Sequence, residues 1–504
     1  IALEQMAAMK KFHELDIPHS GFYAEGAGAT FFGEYKKEEL YKVVSFGERH
    51  GFKVFSWQFP NMTQELAQEL LPECPKEELP ITRNKNDEEE KLPVYIDFSH
   101  PRAKELLAAQ WKDRMDAGIR GSMVDFGDVV PDEAVFYDGR RGDEMHNAYA
   151  YQYAKNYREL FEQKYGDDHV LYTRGAAPGS QHFACQFGGD QLTSFQGLKY
   201  AIAGGLSAAA AGLPFWGVDA GGYDGFPDQE TYLRWTEYAA FCPLMRFHGT
   251  EPREPWEYDA FTVKVYRYYT WLRENLRPYI VSVAAEAHKL GIPMMRPLAM
   301  MYPEDQEATK EWDEYLFGED LLVAPVSDET EEREIYFPEG RWISLWNLND
   351  EISGPVQRSV EVPIDKIPVY IREGSFLPLR LNESLKLGES MSESETEMIL
   401  AVVPQNDSIV KETLYERSGA KTCCGMEKNG ETIQLQISGR TAELYVMLAG
   451  IHWKNTEAIV NGRTLTKVTA REGLYFTEGY LELEEGILVK INPSAESVIK
   501  IQKK

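Results

Sequence analysis

The chain is short of cysteine, of positive charge and of long apolar runs, and each shortage excludes something. Five cysteines in 504 residues (Cys74, Cys185, Cys242, Cys423 and Cys424) form an odd set without metal-ligand spacing. The adjacent Cys423 and Cys424 are poorly placed to bridge each other, so the set reads as reduced thiols of a cytoplasmic protein. No H-E-x-x-H, paired C-x-x-C or calcium loop is present, and neither a metal nor an organic cofactor is expected. Lys and Arg number 53 against 81 Asp and Glu, a net charge of −28. That sign repels polyphosphate and anionic lipid, which excludes nucleic acid and membrane surfaces as partners. No run of about 18 apolar residues occurs, so no transmembrane helix is expected. No Gly-rich phosphate turn follows the first strand, which argues against a dinucleotide-binding open sheet.

What is present is an ordinary globular composition with many rings. Hydrophobic residues make up 43% and aromatics 12%, with ten Trp and twenty-eight Tyr. Such rings suit stacking on sugars, although packing accounts for most of them. From the start to about residue 290, extended apolar segments alternate with helical ones. Strands are predicted over 19–25, 53–59, 93–98, 121–126, 169–174, 184–187, 214–218 and 244–247. Helices are predicted between them, the last a long one over 261–290, and a polar surface loop over 82–91. Strands separated by helices pair in parallel, and about seven such units in under 300 residues favour a (β/α)8 TIM barrel. The helical pattern begins at Ile1 itself. The first barrel strand is therefore expected to lie ahead of it in a longer protein, and as a separate expectation an N-terminal β-sandwich precedes that strand. After residue 311 short alternating strands and Gly, Pro and Asn turns take over. The expected division is a catalytic barrel over 1–311, a proximal C-terminal β-sandwich over 312–390 and a distal one over 391–504. A Ser- and Glu-rich linker is expected near 385–397.

Barrel enzymes place their chemistry just past the strands' C-terminal ends. Four polar residues occupy such positions: Asp125 after Gly121-Ser-Met-Val, Arg174 after Val-Leu-Tyr-Thr, Asp190 in Phe187-Gly-Gly-Asp, and Asp219 after Phe215-Trp-Gly-Val. Two carboxylates at one barrel mouth suit glycoside hydrolysis, one attacking the anomeric carbon and one protonating the leaving oxygen. Single aspartates at such places also cap helices or form turns. Asp97, Ser99, Asp128 and Asp132 are read that way.

In order and spacing these segments resemble glycoside hydrolase family 31, the retaining exo-α-glycosidases and α-xylosidases. Asp125-Phe-Gly-Asp is similar to the family's nucleophile strand, and Phe187-Gly-Gly-Asp to its acid/base segment. Phe215-Trp-Gly-Val-Asp-Ala-Gly-Gly-Tyr, Arg246-Phe-His-Gly, Pro293-Met-Met-Arg-Pro-Leu and Phe317-Gly-Glu-Asp-Leu-Leu-Val-Ala-Pro-Val resemble family segments as well. The resemblance implies Asp125 as nucleophile, Asp190 as acid/base, and an α-linked carbohydrate as substrate. It implies that Arg174 binds the sugar, and that Phe187, Trp216, Asp219 and Arg246 line or brace the same subsite, with Trp57 at the end of its strand. His248 either touches the sugar or is satisfied by backbone behind it. A retaining pair requires carboxyl groups about 5–5.5 Å apart.

Four positions depart from the family pattern and bear on specificity. Val218 stands where His is usual, Phe187 where Trp is usual, and Met123 where xylosidase-like members carry Lys. In Phe22-Tyr-Ala-Glu-Gly26 either Ala24 replaces the usual Asp or Glu25 takes over from one residue away. Val218 either fills space beside Trp216 and the barrel wall or presents an apolar surface to a sugar substituent. The leading expectation is an exo-acting retaining α-glycosidase. A sulfoquinovosidase (from Gly189-Asp-Gln191), an α-galactosidase or N-acetyl-α-sugar hydrolase, and a non-catalytic carbohydrate-binding member are the alternatives.

Overall fold

The computed structural model describes residues 2–24, 37–83, 94–392, 397–440, 442–475 and 477–504. They divide into two compact units, Ile1–Gly189 and Asp190–Lys504.

Five parallel strands organise the first unit: β1 (Gly21–Tyr23), β2 (Lys53–Gln58), β3 (Gly121–Val124), β4 (Val170–Thr173) and β5 (Cys185–Phe187). They lie side by side in chain order, with Met123 in register with Trp57 on one side and Tyr172 on the other. All of β3 is buried, as expected of a parallel strand covered on both faces. The alternation of side chains decides what each strand residue does. Val54, Val124 and Leu171 enter the apolar core shared with the helices, whereas Trp57, Met123 and Tyr172 point the other way. The helix Gly142–Tyr165 shows the complementary pattern. Tyr149, Tyr153, Tyr157 and Phe161, spaced by four, form one fully buried stripe. Their hydroxyls remain bonded: Tyr149 donates to the Ile96 carbonyl at 3.0 Å and Tyr153 to that of Gln58 at 3.1 Å. The Trp111 indole donates to Tyr157 at 3.2 Å.

Two expectations are corrected in the barrel region. Of the strand expected over 93–98, Val94–Tyr95 pairs antiparallel with Asn61–Met62 in a small separate sheet. A short apolar run does not distinguish a hairpin arm from a barrel strand. The chain then turns at once, because the Asp97 carboxylate accepts from the Ser99 amide and hydroxyl. The expected surface loop lies outside the described residues beyond Arg83.

The second unit opens with the helix Phe195–Ala210 and two parallel strands, β6 (Trp216–Asp219) and β7 (Leu244–Arg246), with Asp219 opposite Arg246. The second correction falls here. The long helix expected over 261–290 is two helices, Ala260–Asn275 and Arg277–Leu290. Pro278 has no amide hydrogen to donate and its ring blocks the preceding turn, so the second helix starts afresh. Between them in sequence and β6, the helix Gln229–Ala240 is almost wholly buried and holds the ion pair Arg234–Glu237 at 3.1 Å.

Two further β-regions follow. A six-stranded antiparallel sheet runs in the order Met295–Pro297, Tyr315–Phe317, Leu321–Val323, Val369–Arg372, Glu332–Ser344, Glu351–Glu361. Beyond it, two six-stranded sheets enclose one apolar core that includes Phe376, Val402, Val446, Ile433, Leu435 and Ile499. The strand Phe376–Leu381 belongs to this last sandwich, pairing antiparallel with Glu397–Val402. The sheets thus change partners near Gly374, ahead of the Ser- and Glu-rich segment.

Candidate active site

In the first unit the end of β3 delivers Asp125 into a tight polar setting. Its amide donates to the Gln58 carbonyl at 3.1 Å, the same carbonyl that receives the Tyr153 hydroxyl. Its carboxylate accepts from the Trp57 indole at 3.0 Å and from the Phe126 amide at 2.9 Å, and pairs with Arg174 at 3.6 Å. Only 5% of the residue is exposed. Arg174 also reaches Asp128 at 3.4 Å, and its guanidinium lies 4.1 Å from the Phe126 ring centre. These contacts fix the orientation of the Asp125 carboxyl.

Phe126 adopts a left-handed backbone, φ +58°. For a bulky residue this costs about 1–2 kcal/mol. The Arg174 guanidinium and the Phe59 ring, 4.8 Å away, pack on its side chain and hold it there. Gly189 is needed for a related reason. A Cβ there would stand 2.9 Å from Arg174 Cδ, so any side chain would force the arginine stem to shift. Met123 lies on the Asp125 side of β3 and is buried, and Phe187 packs edge-on to Tyr172 at 6.0 Å. Glu25 lies outside the described residues.

In the second unit Asp190 is exposed, and the segment it opens is locked to the loop after β6. The Gln191 carbonyl accepts from the Tyr223 amide at 2.8 Å and its side chain from the Asp219 amide at 3.3 Å. Gly222, at φ +78°, lies so close that a Cβ would meet the Leu192 carbonyl at 2.6 Å. Asp219, almost fully buried, is bound by Arg246. Burial, reinforced by the Arg246 and Arg253 charges, pushes His248 down to about 3. The neutral imidazole is thereby favoured over the imidazolium.

Arg253, which the sequence reading passed over, is buried and caps the carbonyls of Gly222, Tyr223, Gly225, Glu251 and Pro252. The short Gly221-Gly222 turn it closes was its one visible signal. An acidic cluster elsewhere, Glu311, Asp313 and Glu314, is met by Arg333 at 2.7 Å from Asp313 and 3.4 Å from Glu314.

Trp216 and Val218 do not join this site. The Trp216 ring packs on the helix Phe195–Ala210, where a Cβ on Gly205 would touch its indole nitrogen at 2.7 Å. Val218, two residues along β6, faces the same helix layer and has no exposed surface, while Asp219 points to the opposite face. Of the two readings of Val218, the apolar contact with a sugar is therefore withdrawn. Val218→His is expected to destabilise the protein by about 1–3 kcal/mol, the cost of burying an unpaired polar group. The ratio of kcat/KM between α-glucosides and other α-glycosides should stay within twofold. A lower unfolding midpoint with a changed ratio would restore Val218 to the sugar site.

Comparison with known proteins places this geometry. The glycosyl hydrolases family 31 TIM-barrel domain matches residues 4–283, which contain β1 to β7, and the family's C-terminal domain matches 291–377. An isomaltosyltransferase of Sporosarcina globispora is 31% identical over 430 residues, covering 80% of this chain and 39% of that protein. An alpha-xylosidase of Emericella nidulans is 32% identical over 294 residues, covering 56% of this chain and 38% of that one. The cycloalternan-forming enzyme from Listeria monocytogenes, solved with a pentasaccharide substrate, superposes with a TM-score of 0.88 at 22% identity. It matches all of this chain, which covers 53% of that structure. The chain thus spans about two fifths of the curated relatives' length. A barrel model that accounts for more than half of these residues, followed directly by the matching C-terminal domain, establishes the chain as a member of glycosyl hydrolase family 31.

Proposed function

We propose that the protein is a retaining, exo-acting α-glycosidase in which Asp125 is the nucleophile and Asp190 the acid/base. The observation that carries this reading is the setting of Asp125. A carboxylate at a strand's C-terminal end is buried, ion-paired with Arg174 and oriented by the Trp57 indole. A carboxyl held in one orientation at the strand end is placed to attack carbon.

In the first step an Asp125 oxygen bonds to the anomeric carbon and the bond to the leaving oxygen breaks. Asp190 gives that oxygen its proton. In the second, water attacks the same carbon, Asp190 takes a proton from it, and the ester bond to Asp125 breaks, restoring both carboxyls. The exposure of Asp190 suits a group that must meet both a leaving sugar and water. Relatives that act on isomaltosyl and α-xylosyl groups support a glucose- or xylose-type α-glycoside as the substrate class.

A 5-fluoro-α-glycosyl fluoride slows the second step and accumulates the ester. Peptide mass spectrometry after incubation should find the glycosyl group on Asp125. A label on another carboxylate, or none while fluoride is still released catalytically, would remove Asp125 from the role.

A further inference from the structure

Two large apolar side chains are exposed on the segments that carry Asp190 and follow Asp219: Leu192, 53% exposed, and Phe226, 49% exposed. Neither sits on a loose loop. Leu192 pairs with Asp224 as an isolated parallel bridge, and the Thr193 hydroxyl donates to the Asp224 carbonyl at 2.5 Å. The Gly225 amide donates to the Thr250 hydroxyl at 2.9 Å, and the Tyr258 hydroxyl to the Pro227 carbonyl at 2.8 Å. Phe226 is therefore held from both sides.

Its ring has backing as well. One face of Phe226 stacks on Tyr258 at 4.9 Å and 22°, Tyr258 stacks on Tyr232 at 4.7 Å and 27°, and Tyr232 lies almost parallel to Tyr266. The inner rings are buried and Tyr232 is bonded to the Arg253 carbonyl at 2.7 Å. A column of rings, rooted in the interior, thus ends in one aromatic side chain offered to solvent. Exposing an apolar ring on a rigid support costs hydration free energy unless something covers it in use.

The position decides what that is. The acid must reach the leaving oxygen, so the sugar that departs lies against the Asp190 segment. Leu192 is two residues from Asp190, and Phe226 is two residues beyond Leu192's bridge partner. We propose that Phe226, with Leu192 beside it, is the stacking platform for the pyranose ring on the leaving-group side of the scissile bond. A sugar's axial C–H groups give it an apolar face matched to an aromatic ring, and its hydroxyls stay at the edge in water. The proposal rests on the glycosidase reading, with Asp190 as the acid.

The test compares substrates with and without a leaving sugar. The probes are α-glucosyl and α-xylosyl fluorides, and maltose, isomaltose and isoprimeverose as disaccharides. For the glycone that the wild type hydrolyses best, Phe226→Ala should lower kcat/KM on the disaccharide about tenfold, the loss expected for one stacked ring face. The same variant should hydrolyse the matching glycosyl fluoride within twofold of wild type, because fluoride leaves that subsite empty. Phe226→Trp should keep disaccharide activity. Equal loss on both substrates, or no loss on either, would overturn the platform. A wild type inert toward every fluoride, with no label on Asp125, would instead sink the glycosidase reading beneath it.

Discussion

Asp190→Ala is expected to lower kcat/KM for an α-linked disaccharide by roughly 10²–10⁴-fold, the contribution of a positioned general acid. With an α-glycosyl fluoride the first step needs no proton, so kcat/KM should remain near wild type. Turnover of the fluoride should still fall, because the role proposed for Asp190 includes activating water for the second step. Added azide needs no base. It should attack the ester carbon from the vacated side, release Asp125, and form an α-glycosyl azide while raising kcat. Retention at the anomeric carbon follows from two inversions. A β-configured azide, or equal loss on disaccharide and fluoride, would show that Asp190 is not the acid/base.

The second large effect concerns stability. Arg234 and Glu237 are each about 1% exposed, and Arg234 does more than pair with its neighbour. It donates to the carbonyls of Val362, Pro363 and Lys366 at 2.8, 3.1 and 3.4 Å, binding the helix Gln229–Ala240 to the turn at 362–367. Tyr269 completes the joint, donating to the Asp365 carbonyl at 3.0 Å and accepting from the Ile367 amide. Arg234→Met removes the cation and leaves three carbonyls without their donor. A loss of about 3–5 kcal/mol is expected, read as a fall of about 10 °C in the unfolding midpoint.

Glu237→Gln should be far milder. Burial pushes the Glu237 carboxyl up to about 8, against the pull of Arg234, so near neutrality much of it carries a proton already. A folded-state value above the unfolded one means that folding retains the proton. The stability due to Glu237 is then full below about pH 4.5 and is lost as pH rises through 8. Glu237→Gln should flatten that decline and cost under about 1 kcal/mol at pH 7. If Glu237→Gln proved as damaging as Arg234→Met, the carboxylate would be the essential partner.

Much of the architecture was legible because parallel β/α units write themselves as apolar runs between amphipathic helices. Asp125 and Arg174 stand out for a physical reason: each is a charge that ends an apolar strand, at the end where barrels gather their polar residues. Trp216 and Val218 were misplaced for the converse reason. A strand buried on both faces has no polar side to mark which residues look toward the site. The break at Pro278 was visible and was overridden by the helical pattern around it. The strand at Val94–Tyr95 could not be assigned to a sheet from sequence, since its partner Asn61–Met62 is itself only two residues long. Phe226 and Leu192 gave no signal, because exposed apolar residues on loops are individually unremarked.

Arg253 has a consequence for how the scaffold tolerates change. One guanidinium closes both the turn at 222–225 and the turn at 251–253, so neither segment is an independent cassette. A graft that imports the first turn from a relative, with a different path for its carbonyls, would strand a buried cation in the second. Swapping both turns together with their arginine keeps the knot tied. Variation in these two turns among proteins of this design should accordingly travel as a linked pair.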